Sequence, residues 1–220
     1  MTQQDPVRIH IDSVFLEFQD KKVLRGIYLE LLQHQISGIL GRNGSGKSCL
    51  LKIITGQLTP QQKYLNVGGK RLNNLYKEKG LINYLPQHEC HPGFLRMKDL
   101  LYFYDISLKD FRAYYPHLHQ LNKQKFAQLS GGDKRLLEVL IVLESPSLFT
   151  ILDEPFSHLI PTQVDMVKKT ILRVKNRKGI IITDHQYKHV LDVSDHLHLL
   201  KDGRLHNVQH EQDLRIHGYI

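Results

Sequence analysis

Apolar and polar side chains alternate at Val7-Arg8-Ile9-His10-Ile11 and again at Val14-Phe15-Leu16-Glu17-Phe18. A two-residue period predicts strands with one buried face. Residues 19–22 read as a turn, Val23-Leu24 follows it, and residues 27–32 predict another strand. The pattern then changes. Ile36-Ser37-Gly38-Ile39-Leu40, residues 148–152, Ile180-Ile181-Ile182-Thr183 and residues 197–201 are short apolar runs, which suit strands covered on both faces. Residues 49–54, 134–143 and 163–175 carry helical patterns between them. Strands alternating with helices predict a mostly parallel sheet. A hairpin-like piece over 64–67 ends at Gly68-Gly69. Residues 88–128 differ, being aromatic and amphipathic, with helices predicted over 98–104 and 110–115. They read as a small helical insert. The tail, 211–220, is too short to assign.

Between the strand at 36–40 and the helix at 49–54 stands Gly41-Arg42-Asn43-Gly44-Ser45-Gly46-Lys47-Ser48. This is the P-loop pattern in its proper context of strand, glycine loop and helix. The glycines let backbone N–H groups turn inward around phosphates, and the helix N-terminus adds a positive dipole end. Gly41, Asn43, Gly44, Ser45 and Gly46 are therefore candidate phosphate binders. Lys47 is placed to reach the β- and γ-phosphates of a nucleotide, and Ser48 to ligate Mg²⁺. Cys49, in the first turn of the same helix, is a further candidate for nucleotide binding, while its side chain reads as a small packing residue. The strand at 148–152 runs into Asp153-Glu154. This reading puts two carboxylates beside the P-loop, Asp153 to hold Mg²⁺ and Glu154 to polarise an attacking water.

Composition narrows the setting. The chain has 220 residues, 41% hydrophobic and 24% charged, ordinary for a soluble globular protein. No apolar run approaches the ~20 residues needed to span a bilayer. Met1-Thr2-Gln3-Gln4-Asp5-Pro6 has no basic-then-apolar signal pattern. A cytoplasmic protein is expected, with any membrane link made through a partner. Two cysteines, Cys49 and Cys90, give no disulfide framework. The net charge of +8 permits contact with nucleic acid or anionic lipid without showing either. Lys168-Lys169 and the basic cluster at 173–178 read as solvated helix faces.

Three further motifs carry a family resemblance. Leu129-Ser130-Gly131-Gly132-Asp133 resembles the Leu-Ser-Gly-Gly-Gln signature of ATP-binding cassette (ABC) ATPases. Tyr84-Leu85-Pro86-Gln87 resembles their Q-loop, and Thr183-Asp184-His185 their switch histidine. Phe18 stands where the family has its adenine-stacking aromatic. The motifs follow the family's order and spacing over 9–204. The resemblance implies an α/β fold: a P-loop NTPase core with a mostly parallel sheet, an antiparallel β subdomain near the N-terminus and a small inserted helical subdomain. It implies one ATPase domain over 1–220, with 1–87 and 144–220 as core and 88–143 as the helical part. It implies ATP and Mg²⁺ as ligands, with Ser48, Gln87 and Asp153 around the metal. Catalysis would rest on Glu154, His185, Lys47 and Gln87. Ser130, Gly131 and Gly132 would cover the γ-phosphate held by a second cassette, identical or not. Function would be that of an energy-coupling subunit moving a separate transmembrane permease, at the cytoplasmic face of the membrane. The alternative is a soluble ABC ATPase acting as a clamp on nucleic acid or protein. One cassette without a heptad run weighs against it, and nucleic acid is not expected as a partner.

Two departures stand out. Ile160 replaces the aspartate that the family carries after the Asp-Glu pair, so looser coupling between two ATP sites is expected. Asp133 replaces the signature glutamine, where a carboxylate in the first helical turn suits the dipole. His185 and His189 have i, i+4 spacing, but no third ligand is evident beside them in the sequence, and a metal role is not expected.

Overall fold

The computed structural model describes residues 5–19 and 21–220, with the Asn122 side chain left out. The chain opens with two long strands, β1 (Arg8–Phe18) and β2 (Lys21–Leu32). The pattern predicted shorter strands here, and the difference has a cause. Ile9 and Ile11 are buried at odd positions and Val14 and Leu16 at even ones. A bulge at Asp12-Ser13 inserts one residue, so both pairs face the same core. Ser13 takes a left-handed φ of 52°, and its N–H donates to Asp12 Oδ1 at 2.6 Å. In β2 the phase changes again at Gly26, with φ 68°, putting Leu24, Ile27, Leu29 and Leu31 all inside. The predicted turn at 19–22 includes Asp20, which lies outside the described residues, as does most of the Met1 to Pro6 stretch.

β1 also pairs with β4 (Gln62–Val67), which pairs with β5 (Lys70–Arg71), giving an antiparallel sheet in the order β2-β1-β4-β5. The second sheet contains β3 (Ile36–Leu40), β6 (Ile82–Leu85), β7 (Phe149–Asp153), β8 (Gly179–Thr183), β9 (His196–Lys201) and β10 (Arg204–Val208). Its order is β10-β9-β3-β8-β7-β6, parallel except for β10. Every residue of β3, β7 and β8 is buried, as continuous apolar runs require. One face packs on α1 (Lys47–Thr55) and the antiparallel sheet. The other packs on α4 (Gly131–Glu144), α5 (Pro161–Val174) and α6 (Tyr187–Leu191). α2 (Met97–Phe103) and α3 (Leu108–Tyr114) precede α4, and Met97, Leu100, Leu101 and Phe111 join this same core. α7 (Glu211–Ile216) occupies the tail that the pattern left unassigned.

The basic cluster at 173–178 is not simply solvated. Arg173 and Arg177 both pair with Glu144. Lys178 is fully buried; its ammonium donates to Ser145 O at 2.6 Å, Ser147 Oγ at 3.3 Å and Thr150 Oγ1 at 3.1 Å. The end of α5 turns directly into β8, and this draws Lys178 under the sheet. Burial, with the nearby Arg177 charge, pushes its pKa down to about 7. The native state therefore releases this proton near pH 7, whereas the unfolded chain keeps it to the ordinary lysine range. Between those values the unfolded state binds more protons, so stability rises with pH. From pH 7 to 9 the wild type is expected to gain about 2 kcal/mol relative to Lys178→Met. Denaturant unfolding of both proteins at the two pH values checks this; parallel pH profiles would contradict it.

Candidate nucleotide-binding and hydrolysis site

The parallel strands deliver their C-terminal ends to one edge. Ile39 pairs with Thr183, Asp153 with Thr183, and Leu85 with Leu152. The P-loop after β3, Gln87 after β6, Glu154 after β7 and His185 after β8 therefore emerge together. Such an edge is where open α/β sheets bind ligands. β7 is not beside the P-loop strand, because β8 lies between them. The charges of Glu154 and Asp153 still reach Lys47 of the loop across it.

The P-loop itself is built by positive φ values at Gly44 (78°) and Gly46 (106°). Gly46 caps α1, whose first-turn N–H groups face the loop. A Cβ at Gly41 would come within 2.7 Å of the Leu200 carbonyl oxygen, so this position is closed to larger residues. Lys47 is buried and its Nζ donates to Gly41 O at 2.7 Å and Arg42 O at 3.3 Å. Burial lowers its pKa, offset by the charges of Glu154, Asp153 and Asp184. Its electrostatic partners are thus the carboxylates across β8. Ser45 Oγ is buried without a hydrogen-bond partner, and a hydroxyl in that state suits a phosphate oxygen. Cys49 is half-buried against the core, as a packing residue would be.

Asp153 is 2% exposed, and its Oδ1 accepts from Thr183 Oγ1 at 2.6 Å. Its Oδ2 receives only a long 3.4 Å contact from Tyr84 OH. Glu154 has φ 52°, a strained value for a residue with a side chain. Its N–H donates to Thr183 O at 2.7 Å. Glu154 Oε2 accepts from Gln87 Nε2 at 3.0 Å and Ser157 Oγ at 3.3 Å, and lies 3.5 Å from His185 Nδ1. Three motifs far apart in sequence thus meet at one carboxylate oxygen. Asp184 is fully buried, and burial pushes its pKa up. Its oxygens accept the N–H groups of Phe156 and Gln186, tying the loop after Glu154 to the loop carrying His185.

Arg135 is a residue that motif reading missed. It is 5% exposed on α4 and donates to Pro86 O at 2.8 Å, Asp153 O at 2.5 Å and Glu154 O at 3.0 Å. One guanidinium therefore fastens the Gln87 loop and the Asp-Glu turn to the helix of the signature. The available signal was a pair of opposite charges at i, i+3, Arg135 and Glu138, within a largely apolar helix. The tail supplies a second unexpected contribution. Arg42 Nη2 donates to Gly218 O at 2.7 Å, and Tyr219 reaches the Gly41 backbone. Gly41, Arg42, Asn43, His185, Tyr187 and Tyr219 line one shallow pocket of about 380 Å³.

The signature stands apart from this cluster. Ser130 caps α4, its Oγ accepting the Asp133 N–H at 3.1 Å and donating to Asp133 Oδ2 at 2.7 Å. Asp133 Oδ1 also accepts from Gln163 at 3.1 Å. A Cβ at Gly132 would press on His158 O at 3.0 Å, whereas one at Gly131 would meet nothing within 4 Å. Packing within the chain thus explains one glycine and not the other. Phe18 is 47% exposed at the end of β1, so it is not a core residue.

The family profile for ABC transporters matches residues 24–157, more than half of the chain. The chain belongs to the ABC transporter family. Among relatives, the LptB lipopolysaccharide export ATP-binding protein of Haemophilus influenzae is 28% identical, covering 88% of this chain and 87% of its own. The ABC transporter ATP-binding protein YhaQ of Bacillus subtilis is also 28% identical, over 88% of this chain and 68% of its own. A solved ATP-binding subunit of an ABC transporter superposes with TM-score 0.82 at 19% identity, covering 96% and 93% of the two chains, which shows the shared fold. The protein is an ATP-hydrolysing, energy-coupling subunit of an ABC transporter. Such subunits bind ATP and serve a membrane permease. Phe18 and His185 fall outside the profile match.

Proposed function

We propose that this ABC ATPase hydrolyses MgATP with Glu154 as the general base and passes the resulting motion to a separate permease. The observation that carries this reading is the meeting of Gln87, Ser157 and His185 at Glu154 Oε2. In this reading the P-loop glycines, Asn43, Ser45 and Cys49 surround the phosphates, Lys47 takes the β- and γ-phosphates, and Phe18 stacks on adenine. Glu154 accepts the proton of the attacking water, and His185 orients the γ-phosphate. The donors around the metal position are all oxygens, from Ser48, Asp153 and the Gln87 amide, with Asp153 Oδ2 nearly unengaged. That set suits a hard cation such as Mg²⁺, which would neutralise phosphate charge there.

Ser130, Gly131 and Gly132 then act on the nucleotide of a second cassette, identical or related. In support, Gly131 is bare within its own chain. Residues 88–143 form the moving helical part, and Arg135 transmits its position to the catalytic turn. Ile160, 59% exposed at the start of α5, weakens the polar link between the paired sites. Among the described residues no helix is long and apolar enough to cross a membrane, so attachment to the cytoplasmic face would come from the permease. Pull-down of tagged Glu154→Gln from gently solubilised membranes with MgATP tests this. A multi-span protein is expected to co-purify. Recovery with nucleic acid and no membrane protein would favour the soluble clamp instead.

A further inference from the structure

Three residues that the ATPase site does not use converge where the Gln87 loop meets α4. Cys90 and His91 follow Gln87 closely in sequence, and Glu138 lies one turn beyond Arg135 on α4. Cys90 Sγ stands 3.5 Å from His91 Nδ1 and 3.6 Å from Glu138 Oε1, and His91 Nδ1 stands 3.0 Å from the same oxygen. One atom from each residue thus lies within 4.8 Å of the other two. The His91 side chain is 7% exposed and that of Glu138 1%. The second oxygen of Glu138 is buried without a hydrogen bond.

We propose that Cys90, His91 and Glu138 form a binding site for a divalent transition-metal ion, with Zn²⁺ the best match. A tetrahedral zinc with usual bond lengths separates its sulfur and nitrogen ligands by about 3.6 Å, sulfur and oxygen by about 3.6 Å, and nitrogen and oxygen by about 3.4 Å. The first two separations already agree with this triangle. The third needs an opening of about 0.4 Å, within reach of small side-chain rotations. Thiolate, imidazole and carboxylate together select a borderline-soft cation over Mg²⁺ or Ca²⁺. The other ring nitrogen of His91 lies 3.0 Å from Tyr104 OH, the outer hydrogen bond that orients a metal-bound imidazole. Cys90 itself is exposed, which gives the ion a route in and leaves the fourth position to water. On binding, the Cys90 thiol proton goes to solvent and the His91 proton moves from Nδ1, where it faces Glu138, to Nε2, where it faces Tyr104 OH; the Cys90 sulfur, His91 Nδ1 and Glu138 oxygen then each donate a lone pair to the metal. Occupancy ties the loop leaving Gln87 to the helix that begins at the signature.

The test is titration of the untagged, chelator-stripped full chain with Co²⁺, which reports a thiolate ligand through charge-transfer absorption. One Co²⁺ per chain is expected to show this band, Zn²⁺ to displace it, and Cys90→Ser to abolish it. His91→Gln is expected to weaken binding at least about tenfold. Cys49→Ser leaves Cys90 as the single thiol, so a band in that variant assigns the ligand even if another variant folds poorly. Absence of the band in the wild type, or its persistence in Cys90→Ser, would overturn the site and leave a hydrogen-bonded triad.

Discussion

Glu154→Gln is expected to slow ATP hydrolysis by about two to four orders of magnitude while leaving ATP binding in place. Glutamine has the same shape and the same backbone demands, so the left-handed turn at φ 52° is kept. An amide still bonds to the groups around it, but it cannot take a proton from water. In the proposed reading, binding depends on different atoms, chiefly the P-loop N–H groups and Lys47. Nucleotide fluorescence titration and single-turnover phosphate release separate the two effects. Wild-type turnover in this variant would remove Glu154 from the role of base. Loss of binding together with turnover would mean that the side chain helps to shape the P-loop rather than to activate water. The expectation rests on charge at one atom, because no other carboxylate among the described residues lies within hydrogen-bond reach of both Gln87 and Ser157.

Arg135→Met is expected to cost about 3–5 kcal/mol of folding stability, as when one partner of a buried charged network is removed. Methionine fills much of the same volume, so a cavity is not the cause. The loss comes from the carbonyls of Pro86, Asp153 and Glu154, all released at once, and from Glu138, which keeps its charge without the nearby guanidinium at 3.6 Å. Burial already lowers the Arg135 pKa, a sign of how strongly its desolvation must be compensated. Arg135→Lys is expected to fall between, because one ammonium cannot span the carbonyls that the planar fork reaches. Denaturant unfolding measures both. A loss below about 1 kcal/mol for the methionine variant would show that water replaces the guanidinium and that the bridge is dispensable.

Much of the candidate catalytic edge is legible in the sequence. The P-loop is a contiguous strand, loop and helix, and its geometry follows from local glycine freedom and a helix N-terminus. The apolar runs at β3, β7 and β8 declared themselves as buried strands because both faces are apolar. Asp153, Glu154, Gln87 and His185 were each placed at a strand end, which is a local property. What local pattern did not carry was relative position. That β8 lies between the P-loop strand and the Asp-Glu strand depends on which helices cover which face, and neighbouring strands in a parallel sheet need not be neighbours in sequence.

The bulges in β1 and β2 show the same limit at smaller scale. Alternation marks strands on either side of Asp12, but the phase change there leaves them as two separate segments. Only the shared core, which needs Ile9, Ile11, Val14 and Leu16 on one face, turns two segments into one bent strand. Lys178 and Arg135 were illegible for a further reason. Charged residues read as solvated until the structure supplies acceptors, and theirs come from residues 18 to 49 positions away. The sequence by itself thus determined the fold class, the phosphate loop and the identity of the chemical groups, because periodicity and turn chemistry act over a few residues. Tertiary structure alone decided the strand order, the meeting of three motifs at Glu154 Oε2 and the Cys90, His91 and Glu138 cluster. Those depend on burying polar groups together across long separations, where each group becomes stable only once its distant partner is in place.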